Sequence, residues 1–417
     1  MSRALQTDIA IMGGGASGLV AAIAAARACR STQYAHAGSA AFSRLCPRSA
    51  NAASQDSSAG AAVVILEKLP RVGKKLLATG NGRCNLGNLS QDPAHFHGSV
   101  DTTPVLGQFP GEEAFFRSLG VVVRPDEAGR LYPASGQAAS VLDALRLQCA
   151  QLGVQEVCGF TVTDISPQDG GFLIRSATGE TVTARRVILA TGGAAGPQYG
   201  TSGEGFRLAE TLGHKVTATH PALAPIAVEP HSVRALKGLR VQARVTALKD
   251  GQPIASEEGQ VQFADGALSG ICVFNLAALQ PDALSLDLLP WCEDAAGLLA
   301  EIFEQRAGLQ PEDLLTGLFP KRVGQALLKL CPDKAGLAAL VKDWRFAVRP
   351  ATNWEAAQVT AGGVTGLGAN LESRTVPGLY FAGEIVDVHG DTGGFNLRWA
   401  WASGLMAGTE AARGLGL

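Results

Sequence analysis

The sequence predicts an α/β protein of at least two domains, and three observations carry that prediction. Residues 7–12 form a short, mostly apolar run typical of a buried parallel strand, and the glycine-rich Gly-Gly-Gly-Ala-Ser-Gly of residues 13–18 follows directly. Residues 19–28 are rich in alanine, which favours a helix. Later the pattern changes: residues 215–276 alternate short strand-like runs with turns, and residues 281–340 have leucine and alanine at helical spacing.

The N-terminal strand, turn and helix stand in the order of a Rossmann-type dinucleotide-binding unit. Gly13 permits the tight turn, Gly15 lets a pyrophosphate touch the backbone, and Gly18 lets the helix pack close to the strand. A bare G-x-G-x-x-G motif is weak evidence, but its position between a strand and a helix predicts a dinucleotide site that includes Ala16 and Ser17.

The second strand of this unit comes late. Residues 62–68 form an apolar run that ends in Glu67 and Lys68, and an acid at this place is expected to bind ribose hydroxyls. It follows the last glycine by 67 − 18 = 49 residues rather than the usual interval of about 20. We interpret residues 30–60, which show little periodicity, as a mobile insertion; a misassigned segment is the alternative.

Residues 71–88 form a glycine-rich loop after the second strand. Lys74 and Lys75 suit a phosphate, although an exposed lysine pair is also ordinary in a turn. Arg83, Cys84 and Asn85 follow Gly80 and Gly82, and polar residues on such tight loops are often functional. Cys84 is either a redox thiol or a small buried side chain.

A second strand, glycine turn and helix lie near the end of the chain. Residues 378–384 form a short apolar strand that ends in Ala-Gly-Glu, and residues 391–402 form a glycine-rich bend that leads into a helix. A helix N-terminus presents free N–H groups and partial positive charge, so this segment suits a pyrophosphate or an electron-rich ring edge. Taken alone it could be an ordinary capped turn.

Four motifs, at residues 13–18, 80–85, 359–364 and 392–400, together resemble a bacterial FAD-binding oxidoreductase family that includes aminoacetone oxidase and a dehydro-bile-acid reductase. The resemblance implies noncovalent FAD in a discontinuous, glutathione-reductase-like domain of residues 1–197 and 351–417. It also implies an inserted substrate or cap domain at 198–350, with a β-barrel-like part (215–276) and a helical part (281–340).

The resemblance further implies roles for single residues. The strand at 186–193 would return to the sheet beside the dinucleotide, the backbone at Val162 would contact adenine, and the C-terminal turn would face the pyrimidine end of the flavin. At 264–270, Ala264 and Ala267 depart from the family's Thr-x-x-Gly-x-Ser-Gly pattern, which puts a substrate role there in doubt. The predicted cofactor-binding residues are Gly13, Gly15, Ala16, Ser17, Gly18, Glu67, Lys68, Lys75, Gly80, Gly82, Arg83, Cys84, Asn85, Val162, Ala190, Thr191, Gly192, Gly383, Glu384, Gly393, Gly394, Phe395 and Asn396.

The net charge, the cysteines and the lengths of the apolar runs limit the kinds of partner and location that the sequence predicts. The net charge of −2 supplies no field that would steer nucleic acid or an acidic membrane to the chain. Eight cysteines are scattered without a C-x-x-C pair, so we expect reduced thiols in a cytoplasm and no metal site. No apolar run approaches the roughly 18 residues that span a bilayer.

These observations predict hydride transfer between flavin N5 and a small organic substrate or NAD(P)H. A second dinucleotide fingerprint is lacking, so NAD(P)H would be a transient reductant. An amine oxidase that uses dioxygen and an NAD(P)H-dependent ene or carbonyl reductase both remain open. Arg83 and Asn396 are the candidate catalytic residues, and no general base is assigned. A flavin-dependent RNA-modifying protein and a noncatalytic flavin-binding protein are readings of a different class. The oligomeric state stays open.

Overall fold

The computed structural model describes residues 4–36, 62–229, 233–349 and 354–416. The chain forms two compact units, one of Met1–Thr219 with Gly362–Leu417 and one of His220–Ala361. The predicted domain boundaries lay at 197/198 and 350/351. The difference arises because Thr217 hydrogen-bonds Gly363 and Thr365 hydrogen-bonds Lys215, which keeps these flanking segments in the first unit.

The strands of the described residues are numbered in chain order. They are β1 (Ala4–Met12), β2 (Val63–Glu67), β3 (Gly87–Asn88), β4 (Phe96–Gly98), β5 (Val123–Pro125), β6 (Arg130–Pro133), β7 (Gln155–Cys158), β8 (Val162–Gln168), β9 (Gly171–Ser176), β10 (Thr181–Leu189), β11 (His220–Ala222), β12 (Ile226–Ala227), β13 (Arg240–Lys249), β14 (Gln252–Phe263), β15 (Ala267–Ser269), β16 (Ala283–Asp287), β17 (Trp344–Ala347), β18 (Val359–Ala361), β19 (Leu379–Phe381) and β20 (Val388–Gly390).

The α-helices of the described residues are numbered in the same way, and short 3-10 turns lie between them. The helices are α1 (Ala16–His36), α2 (Lys74–Ala78), α3 (Thr103–Leu106), α4 (Glu112–Arg117), α5 (Ala138–Gln151), α6 (Glu204–Thr211), α7 (Ile271–Ala277), α8 (Ala295–Gln305), α9 (Lys321–Leu330), α10 (Lys334–Lys342) and α11 (Phe395–Arg413). The 3-10 turns are Thr79–Gly82, Pro93–His95, Pro197–Tyr199, Arg234–Leu236, Pro311–Asp313 and Gly383–Ile385.

A seven-stranded sheet is the centre of the first unit. Its parallel part has the order β7-β2-β1-β10, and β19 runs parallel to the last residues of β10. The antiparallel hairpin β8–β9 extends the same edge from the first residues of β10. Residues Ile9 to Met12 of β1 are at most 1% exposed, which explains their unbroken apolar sequence. The carboxyl ends of β1, β2, β10 and β19 therefore meet at one edge.

Helices α1 and α11 pack closely against each other through small residues. A Cβ added at Gly404 would lie 2.5 Å from the carbonyl oxygen of Ser17, and one at Gly408 would collide with Ala21. Glycine at both places lets the two helix backbones approach each other. Because α1 begins just after the N-terminal glycine turn and α11 just after the C-terminal one, this contact fixes the two turns relative to each other.

Helix α1 extends through His36, so it includes residues 30–36, the first seven residues of the predicted insertion. The rest of the predicted insertion lies outside the described residues, and so does Cys46, one of the eight cysteines.

The second unit contains a six-stranded barrel. Its strand order is β12-β15-β14-β13-β16-β17, and an antiparallel bridge between Val228 and Val348 joins the last strand to the first. Helices α8, α9 and α10 carry the buried apolar residues that complete its core. The prediction of a β-barrel-like part followed by a helical part is confirmed.

Two elements of the second unit differ from the predicted assignment. Residues 283–287, predicted helical, form β16, in which Leu284 and Leu286 are buried and their neighbours are not. This alternation has a period of two, but it lasts only five residues beside a long leucine-rich stretch. Helix α7 falls inside the predicted β-rich part, where Cys272, Val273 and Leu276 supply a buried helical face.

Candidate functional site

The N-terminal glycine turn is tightly packed at two of its glycines, Gly13 and Gly18, and faces open space at Gly15. A Cβ at Gly13, which has φ +100°, would collide with the Ala190 carbonyl oxygen, and one at Gly18 would collide with that of Gly13. A Cβ at Gly15 would have no atom within 4 Å. The turn is therefore packed at its first and last glycines and leaves open space at the middle one, where Ala16 and Ser17 begin α1.

Glu67 ends β2 and lies next to this turn. Its Oε2 accepts a 2.8 Å hydrogen bond from the Gly14 N–H, and its Oε1 accepts one of 2.8 Å from Leu69. The carboxylate is thus fixed at the sheet edge, as the sequence predicts for a ribose-binding acid. Lys68 points to a different partner, because its Nζ lies 2.5 Å from Glu204.

Lys75 and Glu384 form an ion pair that joins two predicted cofactor segments. Lys75 Nζ lies 2.7 Å from Glu384 Oε2 and donates a 3.0 Å hydrogen bond to the Ala195 carbonyl. The pair is partly buried, with a quarter or less of each side chain exposed. It connects the loop after β2 to the segment after β19.

Gly383 lies between α1 and α11. Ser17 Oγ donates to the Ala382 carbonyl at 3.3 Å, and the Gly383 N–H donates to Ser403 Oγ at 2.9 Å. Trp399 Nε1 donates to the Gly383 carbonyl at 3.1 Å. A Cβ at Gly383 would lie 2.8 Å from that of Ser17, so glycine is required for this approach.

The loop at residues 79–85 has an unusual backbone. Gly80, Asn81, Gly82 and Cys84 all have positive φ, and a Cβ at Gly82 would meet nothing within 4 Å. Cys84 is completely buried, and burial raises the pKa of its thiol to about 12. A thiol with that pKa stays protonated near neutral pH, so Cys84 acts as a small buried side chain rather than a redox thiol.

Arg83 lies at the surface of this loop. Its guanidinium carbon is 4.6 Å from the centroid of the Tyr132 ring, and Nε donates a 3.4 Å hydrogen bond to Gly80. The side chain is exposed and rests on β6. The structure thus leaves Arg83 beside the glycine-rich loop, and its catalytic role stays a prediction.

The C-terminal glycine turn meets the same loop. Gly394 precedes α11 with φ +107°, and a Cβ there would lie 2.7 Å from Asn85 Oδ1. Asn85 Oδ1 is buried and has no hydrogen-bond partner. Gly393, with φ +125°, accepts a 3.0 Å hydrogen bond from Asn88 through its carbonyl. An unsatisfied acceptor therefore lies beside the N-terminus of α11.

Phe395 and Asn396 open α11 and both pack inward. Phe395 is buried, and its ring stacks on that of His95 at a centroid distance of 4.1 Å. Asn396 accepts from the Gly390 N–H at 2.8 Å and donates to the Gly390 carbonyl at 2.7 Å. The Asn396 amide thus fixes the backbone before the turn, and the catalytic role predicted for it stays a prediction.

Arg398 is a residue whose role the sequence did not reveal. Its side chain is 4% exposed and forms a two-point ion pair with Glu112, whose side chain is 2% exposed, at 2.6 and 3.1 Å. It also donates to the carbonyls of Ser90 and Asn88. Trp401 Nε1 donates a 2.9 Å hydrogen bond to the Leu86 carbonyl. These contacts tie residues 86–90 to α11, and no local pattern connects partners so distant in sequence.

The end of β10 completes the sheet edge. Ala190 is buried and its N–H donates to Met12 at 2.9 Å, while Gly192 has φ +74°. Thr191 Oγ1 is buried and has no hydrogen-bond partner. Val162 begins the edge strand β8, two residues after Phe160, whose N–H donates to the Glu67 carbonyl at 2.9 Å.

A cluster of polar side chains lies next to Phe395, on whose ring His95 stacks. Asp391 Oδ2 is 2.9 Å from His95 Nδ1, and Asp391 Oδ1 is 2.8 Å from His97 Nε2. Burial pushes the pKa of Asp391 upward, but the hydrogen bonds of His97 and His95 outweigh it and leave the pKa below 3.8. No group of His, Cys, Asp and Glu within the described ranges could hold a metal ion.

Comparison with known proteins identifies the family. The model described as HI0933-like protein Rossmann domain matches residues 49–410. The chain belongs to this family. It is similar to 3-dehydro-bile acid delta(4,6)-reductase of Clostridium scindens, with 36% identity over 97% of this chain and 98% of the relative.

Two further similarities are more distant. Ribosomal RNA dihydrouridine synthase of Escherichia coli is 28% identical over 83% of this chain and 90% of its own length. The solved structure of 3-ketosteroid-delta4-(5alpha)-dehydrogenase from Rhodococcus jostii is 18% identical and aligns over 98% of this chain and 97% of its own, with a TM-score of 0.48.

Membership of the HI0933-like family makes the protein an FAD-dependent oxidoreductase. The residues present suit that cofactor. Open space at Gly15 and Gly82 admits a ligand to the backbone, and Glu67 lies where a ribose is bound in such folds. The unpartnered Asn85 Oδ1 is an acceptor for a ring N–H beside the positive end of α11. The predictions of family, fold class, enzyme class and FAD are confirmed.

Proposed function

We propose that this flavoprotein reduces a carbon–carbon double bond conjugated to a carbonyl group in a small organic molecule, with NAD(P)H as the transient reductant. The observation that carries this proposal is the 36% identity, over nearly the whole of both chains, to a relative whose name describes reduction at delta(4,6) double bonds. The second relative forms dihydrouridine, whose name also describes a hydrogenated double bond. Two relatives with different substrates share this type of reaction.

Bound FAD supplies and accepts the hydride in this reaction. The chain itself supports the reduced state of the ring. Helix α11 is preceded by Gly394, and no side chain caps the helix at this residue. The backbone N–H groups of the first turn of α11 can therefore face a negatively charged ring edge. Arg398, fixed by Glu112, keeps the loop at residues 88–90 in place against this helix.

The described residues contain one strand, G-x-G-x-x-G turn and helix of the Rossmann type. We therefore propose that NAD(P)H does not occupy a second domain of that kind and instead binds briefly at the flavin. Reduction of the flavin and reduction of the substrate would then take place in turn.

Oxidation of an amine by dioxygen is the competing reaction, and it differs from the proposed one in the reductant and in the product that it forms. An amine would reduce the flavin directly, without NAD(P)H, and admission of air would form peroxide. The two named relatives reported above give this alternative no support, whereas their double-bond reductions favour the proposed reaction.

Reduction of uridine in RNA is a second candidate, favoured by the 28% identity to a ribosomal RNA dihydrouridine synthase. We prefer a small molecule because the other relative matches more of the chain at higher identity, and because the net charge of −2 supplies little attraction for phosphates. The absence of a nucleic-acid partner is thus part of the proposal.

We also propose a cytoplasmic location. The seven cysteines within the described residues are free thiols, which fits a reducing compartment. Among the described residues, no helix combines the length and hydropathy of a bilayer span.

Anaerobic spectroscopy of the purified, FAD-loaded full chain tests the function. NADH, NADPH and aminoacetone are added separately, and loss of the oxidised flavin absorption is followed. The reduced protein is then mixed with a 3-oxo-4,6-diene steroid, with a small cyclic enone, or with ribosomal RNA that lacks dihydrouridine. The proposal predicts bleaching by NAD(P)H and reoxidation by a conjugated enone with a product gaining two hydrogens. Bleaching by the amine alone, or reoxidation by RNA alone, would overturn it.

A further inference from the structure

The cluster of His95, Asp391 and His97 contains groups that could supply a proton, which the hydride chemistry of the flavin does not provide. Reduction of a double bond adds a hydride and a proton, and the cofactor accounts only for the hydride. An acidic side chain near the flavin would deliver that proton faster than solvent does. Arg83 is a poor proton donor because a guanidinium stays charged, and the Asn396 amide does not titrate.

The position of the cluster connects it to the predicted flavin end of the site. Asp391 lies three residues before Gly394, the residue that precedes α11. Its N–H donates to the His95 carbonyl at 2.9 Å, and the His95 ring stacks on Phe395. Strand β4 pairs with β20, which places His97 opposite His389. The C-terminal glycine turn and the cluster thus form one continuous piece of structure.

The hydrogen bonds within the cluster determine which atom can exchange a proton. An ionised carboxylate only accepts hydrogen bonds, so both imidazole nitrogens that face Asp391 must carry protons. His97 therefore uses Nε2–H toward Asp391, and Nδ1 is its proton-exchanging atom. The same logic operates in hydrolases, where a carboxylate orients a histidine for proton transfer.

His97, rather than His95, is the accessible member. The His97 side chain is 47% exposed, whereas that of His95 is 34% exposed and is stacked on Phe395. The titratable groups that face His97 in the described residues are Asp391 before α11, His389 on β20 with ring centroids 5.3 Å apart, and His95 through the shared carboxylate. Asp387 is bonded to Ser99, two residues along from His97.

We propose that His97 is the acid that delivers the proton to the substrate, and that Asp391 is a positioning residue that orients its ring. This inference rests on the proposed double-bond reduction. One carbon of the double bond takes the hydride, and the carbon next to the carbonyl takes the proton from Nδ1 of the His97 imidazolium. The neutral imidazole then regains a proton from solvent. The hydrogen bond and charge of Asp391 outweigh burial and raise the pKa of His97 above 6.5, which favours the charged donor near neutral pH.

His97→Gln and Asp391→Asn, each in the FAD-loaded full chain, test the proposal through separate half-reactions. General acid catalysis contributes about 100-fold or more. We expect His97→Gln to slow reoxidation by the enone about 100-fold and to remove the decline of the wild-type rate as pH rises through the His97 pKa. The rate of bleaching by NAD(P)H should change by less than about twofold, because that step needs no proton for the substrate. Asp391→Asn should lower the reoxidation rate and move its pH dependence to lower pH.

A second readout does not depend on turnover. In the FAD-free full chain with labelled histidine, NMR titration should place the His97 pKa above 6.5, and Asp391→Asn should bring it down. If the wild type reduces enones but His97→Gln does so at an unchanged rate, this inference is overturned and the proposed function stands. If the wild type reduces no enone, both fail. Equal losses in the two half-reactions, accompanied by loss of FAD, would show a structural role for His97 and overturn the inference.

Discussion

The two glycine turns of the first unit resemble each other in sequence but differ in what surrounds them. The N-terminal turn packs against backbone at its first and last glycines, since Gly13 lies on Ala190 and Gly18 lies on Gly13, and Gly14 between them donates to the Glu67 carboxylate. The C-terminal turn also packs on backbone, because a Cβ at Gly394 would collide with the Gly87 carbonyl, but polar side chains lie beside it as well, among them Asn85, Asp391 and Asn396. We therefore propose that the first turn binds the dinucleotide through the open backbone at Gly15, whereas the second lies among side chains that accept hydrogen bonds or exchange protons.

The difference follows from the elements that meet at each turn. The N-terminal turn closes a parallel sheet edge, where close approach of backbones leaves no room for a side chain at Gly13 or Gly18. The C-terminal turn lies beside the irregular loop that contains Asn85 and Asn88, and Asp391 before it contacts His95 and His97 at strand β4. Substitutions in the two regions should consequently damage different properties.

The largest expected effect is the loss of the buried ion pair behind the C-terminal turn. Arg398→Met leaves the Glu112 carboxylate buried without its partner and should destabilise the protein by about 3–5 kcal/mol. Chemical denaturation of the FAD-free chain measures this. The double variant Glu112→Gln with Arg398→Met is the matched control and should recover part of the loss. If the single variant is as stable as the wild type, the pair does not hold this region.

Gly18→Ala should have the next largest effect, because its Cβ would collide with the Gly13 carbonyl. Crowding of this kind costs about 1–3 kcal/mol. Gly15→Ala is the matched control: its Cβ would have nothing within 4 Å, so in the FAD-free chain we expect a change in stability of about 0.5 kcal/mol or less. Equal destabilisation by both changes would contradict the packing described for the N-terminal turn.

Asn396→Ala should cost about 1–3 kcal/mol, because the N–H and carbonyl of the buried Gly390 lose the partners that Asn396 supplies. Thermal denaturation compared with Gln108→Ala, an exposed change in the same unit, measures the effect. A result equal to that control would mean that solvent replaces the Asn396 amide, and would restore the view of Asn396 as a group free to act on a ligand.

The smallest effect is a dependence of stability on pH. The pKa of His97 lies above 6.5, so its contribution is complete below that pH and is lost as pH rises through the folded value. The pKa of Asp391 lies below 3.8, so its contribution is complete above that pH and is lost as pH falls through the folded value. Since the pair is partly exposed, we expect less than about 1 kcal/mol. The melting temperatures of the wild type and His97→Gln should differ more at about pH 6 than at about pH 9. A larger difference at the higher pH would contradict the assignment.

Local sequence patterns predicted much of the first unit. The apolar run before Gly13, the alanine-rich helix after Gly18 and the carboxylate of Glu67 at the end of β2 are all signals within a few residues of one another. The alternation in β16 was also present, but five residues could not outweigh the leucine-rich stretch that follows.

The partners of charged residues could not be predicted in this way. Arg398 and Glu112 are separated by 286 positions, and His95 and Asp391 by 296. Neither pair leaves a periodic trace, because each depends on the fold to bring its members together. The sequence motif around Arg398 was recognisable, but the sequence did not indicate that Glu112 is the buried partner of Arg398. The candidate chemistry of the C-terminal turn therefore required the structure.

One paired measurement tests the contrast between the two turns most directly: the FAD dissociation constant and the turnover at saturating FAD, for Gly15→Ala and His97→Gln. The account predicts that Gly15→Ala weakens FAD binding about tenfold or more while saturating FAD restores turnover, since its Cβ occupies space for the pyrophosphate. It predicts that His97→Gln binds FAD normally and turns over about 100-fold more slowly. The same pattern of loss in both variants would contradict it.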